Sequence, residues 1–220
     1  MIVEIKLLVF LRYLSTGSFM EVCGDLLNIS KASAFNYIHE MIAILCGMKD
    51  QLIKFPDPGR FSNIETLFRS KRGFPGVIGC LDGSQIEIWV RHSQNRETFR
   101  NCKGFLSLNI QAVCGPDCEI YDLVTEWPGS AHDSRVFNQS QICARLNNGE
   151  FGEFHLLADS AYTLTNHVLT PYKKDDTNEK SNEPYICASI SRDITISKLS
   201  LHHFPLTLLI FSKIVLCLSI

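Results

Sequence analysis

The chain has 220 residues, a mass of 24.9 kDa, 45% hydrophobic residues and a formal net charge of −2. That apolar content supports a folded domain with a sizeable core plus a small appendage, and it excludes a disordered tail, which carries fewer apolar residues and more net charge. A sequence pI near 6.4 excludes a uniformly basic nucleic-acid-coating protein, although a local positive stripe can still bind phosphate.

Residues 2–14 are apolar over most of a helix surface, and Thr16-Gly17-Ser18 ends the run with turn chemistry. Glu4, Lys6 and Arg12 interrupt the run and no small-residue cleavage site follows, so no signal peptide is expected. A second helix is expected over 19–27. Asn28 and Ser30 offer caps for a third over 31–46, where Ala34, Ile38, Met41 and Leu45 recur at helical steps. The tight corner between the last two suggests a helix-turn-helix that presents Lys31, Ser33, Asn36 and Tyr37 to phosphate or base edges. A plain helical bundle accounts for the same pattern, and both readings stay open.

Pro56-Asp57-Pro58-Gly59 marks a boundary or tight loop before a short helix near 62–69. From Gly73 the pattern changes to strands. Residues 77–81 form a short apolar run that ends at Asp82-Gly83, and 85–90 alternate. Residues 106–114 and 119–126 read as an antiparallel hairpin around Gly115-Pro116-Asp117. Ser130 to Ser134 lead into a helix expected to reach Leu146, closed by Asn147-Asn148-Gly149. His155 to Ala158 is another short apolar strand, ending on Asp159. The order strand, hairpin, helix, strand indicates an α/β domain with a mixed sheet.

Charge is uneven along the chain. Residues 71–112 hold six Lys/Arg against three acids, and 117–159 hold eight acids against two bases. A metal-dependent phosphate-processing enzyme needs such a contrast, and an ordinary mixed surface also produces it. The nine cysteines are scattered without a Cys-x-x-Cys pair, which reads as reduced and mostly buried thiols. Cys114 and Cys118 bracket the hairpin turn, where a disulfide or half a zinc site would fit, but no second ligand pair accompanies them.

Asp82 and Asp159 each follow a short apolar run and precede a small residue. Ends of buried strands in open α/β sheets are where distant side chains converge on a ligand. Asp133 opens the intervening helix, where the helix dipole favours a carboxylate. Carboxylates gathered in a partly dry site repel one another unless a cation lies between them, and a hard divalent ion such as Mg²⁺ takes oxygen ligands. Each acid also has a local explanation, as a turn residue or a helix start.

Four segments carry a family resemblance. Gly73-Phe74-Pro75-Gly76-Val77-Ile78-Gly79-Cys80-Leu81-Asp82-Gly83-Ser84 resembles the first catalytic segment of Harbinger/PIF-class transposases and their domesticated nuclease relatives. Lys103-Gly104-Phe105 with the strand after it is similar to the family's Lys-Gly-aromatic strand. Pro128-Gly129-Ser130-Ala131-His132-Asp133-Ser134-Arg135 resembles its Pro-Gly-Ser-x-His-Asp-Ser-Arg element. Ala158-Asp159-Ser160-Ala161-Tyr162, with Thr170-Pro171-Tyr172 after it, is similar to its next acidic segment.

The resemblance implies an RNase H-like mixed sheet with flanking helices over residues 73–185, preceded by a helix-turn-helix-like region over 1–55. It implies a divalent cation, Mg²⁺ or Mn²⁺, held by Asp82, Asp133 and Asp159 for hydrolysis of DNA phosphodiesters, with His132 supporting the site. Arg91, Arg96, Arg100 and Lys103, with Lys31 and Asn36, are the candidates for DNA contact; a solvated loop explains the arginine cluster as well. DNA and a separate DNA-binding protein are the implied partners, and the nucleus, with the cytoplasm second, is the implied location. The family's further catalytic Glu downstream of Thr-Pro-Tyr is not recognisable here: Glu179 and Glu183 are the only later glutamates, and Pro184 opposes a continuous helix. Residues 186–220 form an atypical apolar tail that resembles no family segment; membrane anchor, core element and replaced C-terminus are its three readings. The alternative to an active nuclease is an inactive DNA-binding or partner-binding relative.

Overall fold

A computed structural model describes residues 2–90 and 95–171. Arg91, Glu179, Glu183 and the 186–220 tail lie outside the described residues. The chain divides into two compact units, with the division between Leu52 and Ile53.

The first unit is helical: α1 (Ile2–Thr16), α2 (Met20–Asp25), α3 (Lys31–Gly47) and the single turn α4 (Lys49–Leu52). Its core gathers Val9, Phe10 and Leu14 of α1 with Cys23 of α2 and Ala34, Ile38 and Ile42 of α3. The helix expected to reach Leu27 stops at Asp25 because the chain folds back on it: the Leu27 and Ile29 amides both donate to the Gly24 carbonyl, at 3.0 and 3.1 Å. Asn28 then turns with φ 51°, and the Ser30 hydroxyl accepts from the Ser33 amide at 3.2 Å to cap α3. Only glycine fits at position 24, where a Cβ would lie 2.5 Å from the Ile29 carbonyl oxygen.

In the second unit a short 3-10 turn (Pro58–Arg60) leads into α5 (Phe61–Arg72), which ends on Gly73 in the left-handed conformation, φ 79°. The strands are β1 (Val77–Glu87), β2 (Ser107–Cys114), β3 (Ile120–Pro128), β4 (His155–Ala158) and β5 (Val168–Leu169), with α6 (Asp133–Asn138) and α7 (Gln141–Asn147) between β3 and β4. They form one five-stranded sheet in the order β3-β2-β1-β4-β5. Pairing is antiparallel through β1, β2 and β3 and parallel from β1 to β4 to β5, so the sheet is mixed. Ile78, Leu81, Leu156 and Leu157 are buried at its centre, and Phe55, Phe61 and Phe151 pack together in the same core.

Two expectations about element boundaries are corrected. Asp82-Gly83 does not break the first strand: β1 runs through it, paired residue by residue with β2 from Cys80↔Cys114 to Glu87↔Ser107. An unbroken ladder partners every backbone group, which outweighs the turn preference of an Asp-Gly pair. The helix expected to reach Leu146 is two helices, because the Ser140 hydroxyl donates to the Phe137 carbonyl at 2.6 Å and accepts from the Cys143 amide at 3.3 Å, ending one helix and capping the next. The seven described cysteines are all free thiols, Cys114 and Cys118 among them; Cys23 is the buried one and Cys102 is exposed. No helix of the described residues is long and apolar enough to cross a membrane.

Candidate active site

The parallel pairing of β1 with β4 ends at Leu81↔Ala158. Asp82 and Asp159 are the next residue of each strand, and neighbouring strands lie about 4.8 Å apart. β4 stops there while β1 continues to Glu87, so from Asp82 onward β1 loses its neighbour on that side. This uncovered edge takes the place of the strand end expected at Asp82. Asp82 is buried, at 5% exposure, and its Oδ1 accepts from the Gly83 amide at 2.9 Å. The Asp159 Oδ1 accepts from the Ala161 amide at 2.9 Å, a local turn that holds the carboxylate at the strand's end.

Asp133 arrives from the segment between β3 and α6. The Pro128-Gly129-Ser130 turn presses onto β2: the Gly129 amide donates to the Ser107 carbonyl at 2.8 Å, and a Cβ at Gly129 would lie 2.6 Å from the Phe99 carbonyl oxygen and collide with the Ser107 hydroxyl. Glycine is therefore required for the close approach. Three residues on, Asp133 opens α6, and its Oδ1 accepts from the Asn109 amide at 2.7 Å, while Asn109 also donates to the Ala131 carbonyl at 2.8 Å. The carboxylate lies directly over Gly83, where a Cβ would sit 2.6 Å from Oδ1. By strand alternation Gly83 shares a face with Asn109 and Gln111, and Asp82 starts from the opposite face with Ala112. Asp82 and Asp133 thus approach the uncovered edge of β1 from its two sides.

Tyr162 is buried beside Asp159. It is 5% exposed, its ring stands edge-on to Phe137 of α6 with centroids 5.9 Å apart, and its amide donates to the Asp159 carbonyl at 3.2 Å. Its hydroxyl is buried and has no hydrogen-bond partner among the described residues. The phenol is pushed well above the ordinary tyrosine range, first by burial and then by the charges of Asp133, Asp82 and Asp159.

β2 carries a buried polar row. Asn101 donates to the Ser107 hydroxyl at 2.9 Å, and Ser107 donates to Gln85 at 2.6 Å. Asn109 holds Asp133, and Gln111 is 1% exposed with neither amide atom partnered among the described residues. Sequence reasoning missed Gln85, Asn109, Gln111 and Tyr162. The available signal was Ser107, Asn109 and Gln111 recurring at every second position of a strand bounded by apolar residues.

The donor set suits a hard divalent cation, since it offers carboxylate oxygens without nitrogen or sulfur. Among the described residues no group of three or more His, Cys, Asp or Glu is drawn closely enough together to hold an ion as it stands. Each of the three acids is held by a local donor: Asp82 by the Gly83 amide, Asp133 by Asn109 and Asp159 by the Ala161 amide. His132 is exposed and precedes α6 without capping it by its side chain.

The expected DNA-contact residues lie in different settings. Arg100 is committed locally: it donates to Glu97 from Nε at 2.6 Å and from Nη2 at 2.9 Å, and to the Gly104 carbonyl at 2.7 Å. Arg96 is half-buried and Lys103 is exposed. In the helical unit Lys31 and Asn36 are exposed, Lys31 lying 3.6 Å from Glu21.

Residues 81–197 match the model of the DDE superfamily endonuclease family, a range that takes in all three aspartates. The chain is 31% identical over 169 residues to a rat protein named "Putative nuclease HARBI1", covering 76% of this chain and 48% of that one. The human protein of that name is 30% identical over the same shares. "Protein ALP1-like" of Arabidopsis thaliana is 23% identical over 214 residues, covering 88% of this chain and 52% of its own. The chain spans about half the length of the curated relatives it matches. No solved structure matches it. With the acids on β1, at the start of α6 and after β4 all inside the matched segment, the chain belongs to the DDE superfamily endonuclease family.

Proposed function

We propose that the sheet-containing unit, an RNase H-like domain, carries the acidic centre of a divalent-metal-dependent endonuclease of transposase origin, with DNA phosphodiesters as substrate. The observation that carries this reading is the placement of Asp82 and Asp159 one residue past the last β1–β4 pair, Leu81↔Ala158, with the Asp133 carboxylate over Gly83 on the same stretch of β1. Asp82 and Asp159, at the ends of adjacent parallel strands, would hold the cation, Mg²⁺ or Mn²⁺, with Asp133, whose Oδ1 Asn109 holds, as the third acid of the set. A divalent cation supplies an activated water and charge neutralisation at the leaving oxygen. The chain's own groups do the rest: the Asn109 amide fixes Asp133 and the Ala161 amide fixes Asp159. Lys103 and Arg96 in this unit, and separately Lys31 and Asn36 in the helical unit, are the proposed contacts to the DNA backbone. The proposed setting is the nucleus, with a separate DNA-binding protein as partner.

A nicking assay on supercoiled DNA with Mg²⁺ or Mn²⁺ tests this reading. Asp82→Asn and Asp159→Asn are each expected to abolish cleavage; equal cleavage by the wild type and both variants places the activity elsewhere. A second reading, an inactive DNA-binding relative, is favoured by the open spacing of the acids among the described residues. It predicts salt-sensitive DNA binding that Asp82→Asn leaves unchanged, with no metal-dependent nicking by any variant.

A further inference from the structure

We propose that Arg135 is an anchor for a DNA phosphate, its guanidinium presented on the face of Trp127 beside the Gly129-Ser130 turn. The inference rests on the reading of DNA as substrate and adds a contact residue to it; it requires no bound metal. In β3, Trp127 lies opposite Asn109 of β2, so the two side chains start from the same face of the sheet. Two residues of α6 meet that face. Asp133 is held by Asn109 at 2.7 Å, and Arg135 lies over the Trp127 ring with its guanidinium carbon 5.6 Å from the centroid. Arg135 is exposed and Trp127 half-buried, so the ring is a fixed platform and the cation its outer layer.

No carboxylate among the described residues pairs with Arg135. Arg69, Arg100 and Arg145, by contrast, are paired, with Glu65 at 3.7 Å, Glu97 at 2.6 Å and Glu150 at 2.7 Å. The acids nearest the pair in sequence do not face it. Asp133 is two residues earlier on the same helix, a spacing at which side chains diverge, and its Oδ1 is held by Asn109. Glu126 is exposed, and by strand alternation it leaves β3 on the face opposite Trp127. A guanidinium stacked on an indole keeps its N–H edge outward, in a plane that matches two phosphate oxygens, and loses little freedom on binding. The turn beside the platform brings a second basic segment to it. The Gly129 amide donates to the Ser107 carbonyl at 2.8 Å and the Ser130 amide to the Thr98 carbonyl at 3.3 Å. These bonds tie the 3-10 turn Arg96–Phe99 to the segment that leads from Trp127 to α6. A phosphodiester backbone, charged at every phosphate, is the ligand that such separate cations fit.

The test is a DNA-binding titration of the full chain in EDTA, over a series of salt concentrations, on two duplexes of equal length and unrelated sequence. It compares the wild type with Arg135→Ala, Trp127→Leu, the double variant and the control Arg69→Gln, each checked by a thermal melt. Losing one phosphate contact lowers the slope of log K against log salt by about 0.9, which at about 0.1 M salt is an affinity loss of about 8-fold. Arg135→Ala is expected to show both, equally on the two duplexes, with the melting temperature of the wild type. Trp127→Leu should weaken binding by about 2- to 5-fold while Arg135 is present and add nothing in the Arg135→Ala background, and Arg69→Gln should bind as the wild type does. Wild-type affinity and slope in Arg135→Ala overturn the inference and leave DNA as the substrate. A loss confined to one duplex makes Arg135 a reader of bases and also overturns it, as does a lowered melting temperature with an unchanged slope. Equal losses from Trp127→Leu with and without Arg135 overturn the role of the platform. Absence of DNA binding by the wild type overturns the substrate reading itself and this inference with it.

Discussion

Gly83→Ala tests the geometry of the site most directly. A methyl there would lie 2.6 Å from Asp133 Oδ1 and 2.8 Å from its Cγ, where ordinary contact begins at 3.4 Å, so the carboxylate must retreat by about 0.8 Å. It cannot do so freely, because Oδ1 is held at 2.7 Å by Asn109 and a retreat of that size takes the bond to its outer limit. Losing a hydrogen bond to a charged group costs about 1.5–3 kcal/mol of stability. A misplacement on the order of 1 Å in a reacting constellation costs roughly 100-fold in rate, about 2.7 kcal/mol of barrier. The control is Gly79→Ala in the same strand, whose methyl meets the apolar ends of Leu156 and Val113 at 3.0 Å. Overpacking there costs about 1–3 kcal/mol but does not touch the acids. The assay is metal-dependent nicking at a temperature where urea titration shows all three proteins folded. Gly83→Ala should cleave about 100-fold more slowly and Gly79→Ala at the wild-type rate. Wild-type cleavage by Gly83→Ala, or equal losses in both variants, refutes the placement of Asp133.

Two further outcomes follow from the fold. Gly129→Ala drives a methyl into the Phe99 carbonyl, 2.6 Å away, and into Ser107; backbone cannot yield as a side chain does, so urea unfolding should show a loss of about 3 kcal/mol, and a change below about 0.5 kcal/mol would contradict the packing. Stability should also fall on the alkaline side. Burial, with the charges of Cys118, Asp82 and Glu119, pushes the Cys114 thiol from 9.0 up to about 12, and Tyr162 is likewise raised above 10.0. The folded state binds both protons more tightly than the unfolded chain, so their contribution is fully present below pH 9 and is lost as pH rises through the folded value, about 12 for Cys114. The slope is up to about 1.4 kcal/mol per pH unit for each group. Urea midpoints measured from about pH 8 to 11 read it, and a flat profile would contradict the burial of both groups.

Local chemistry in the sequence was enough to find most of the elements. The Ser30 cap, the Gly115-Pro116-Asp117 hairpin and the apolar run before Asp159 each act within a few residues, and each appears where the pattern indicates. The three aspartates were singled out by their places after apolar runs and at a helix start together with the family segments, and all three fall inside the matched range. What failed was also local. Asp82-Gly83 reads as a turn because the sequence window does not contain β2, whose pairing from Cys80↔Cys114 to Glu87↔Ser107 holds the strand straight. The break at Ser140 was hidden because an apolar period continues through it while a side-chain cap interrupts the backbone.

The sequence by itself determined which residue types are available: oxygen-donor acids near small residues, helix caps, and strand and turn propensities set by neighbours in the chain. Only the tertiary structure decided that β4 stops one residue short of Asp82's level and that Gly83 is bare so that Asp133 can lie over it. Those relations depend on strand register and on the approach of segments dozens of residues apart, where contact distance is set by packing rather than by sequence separation.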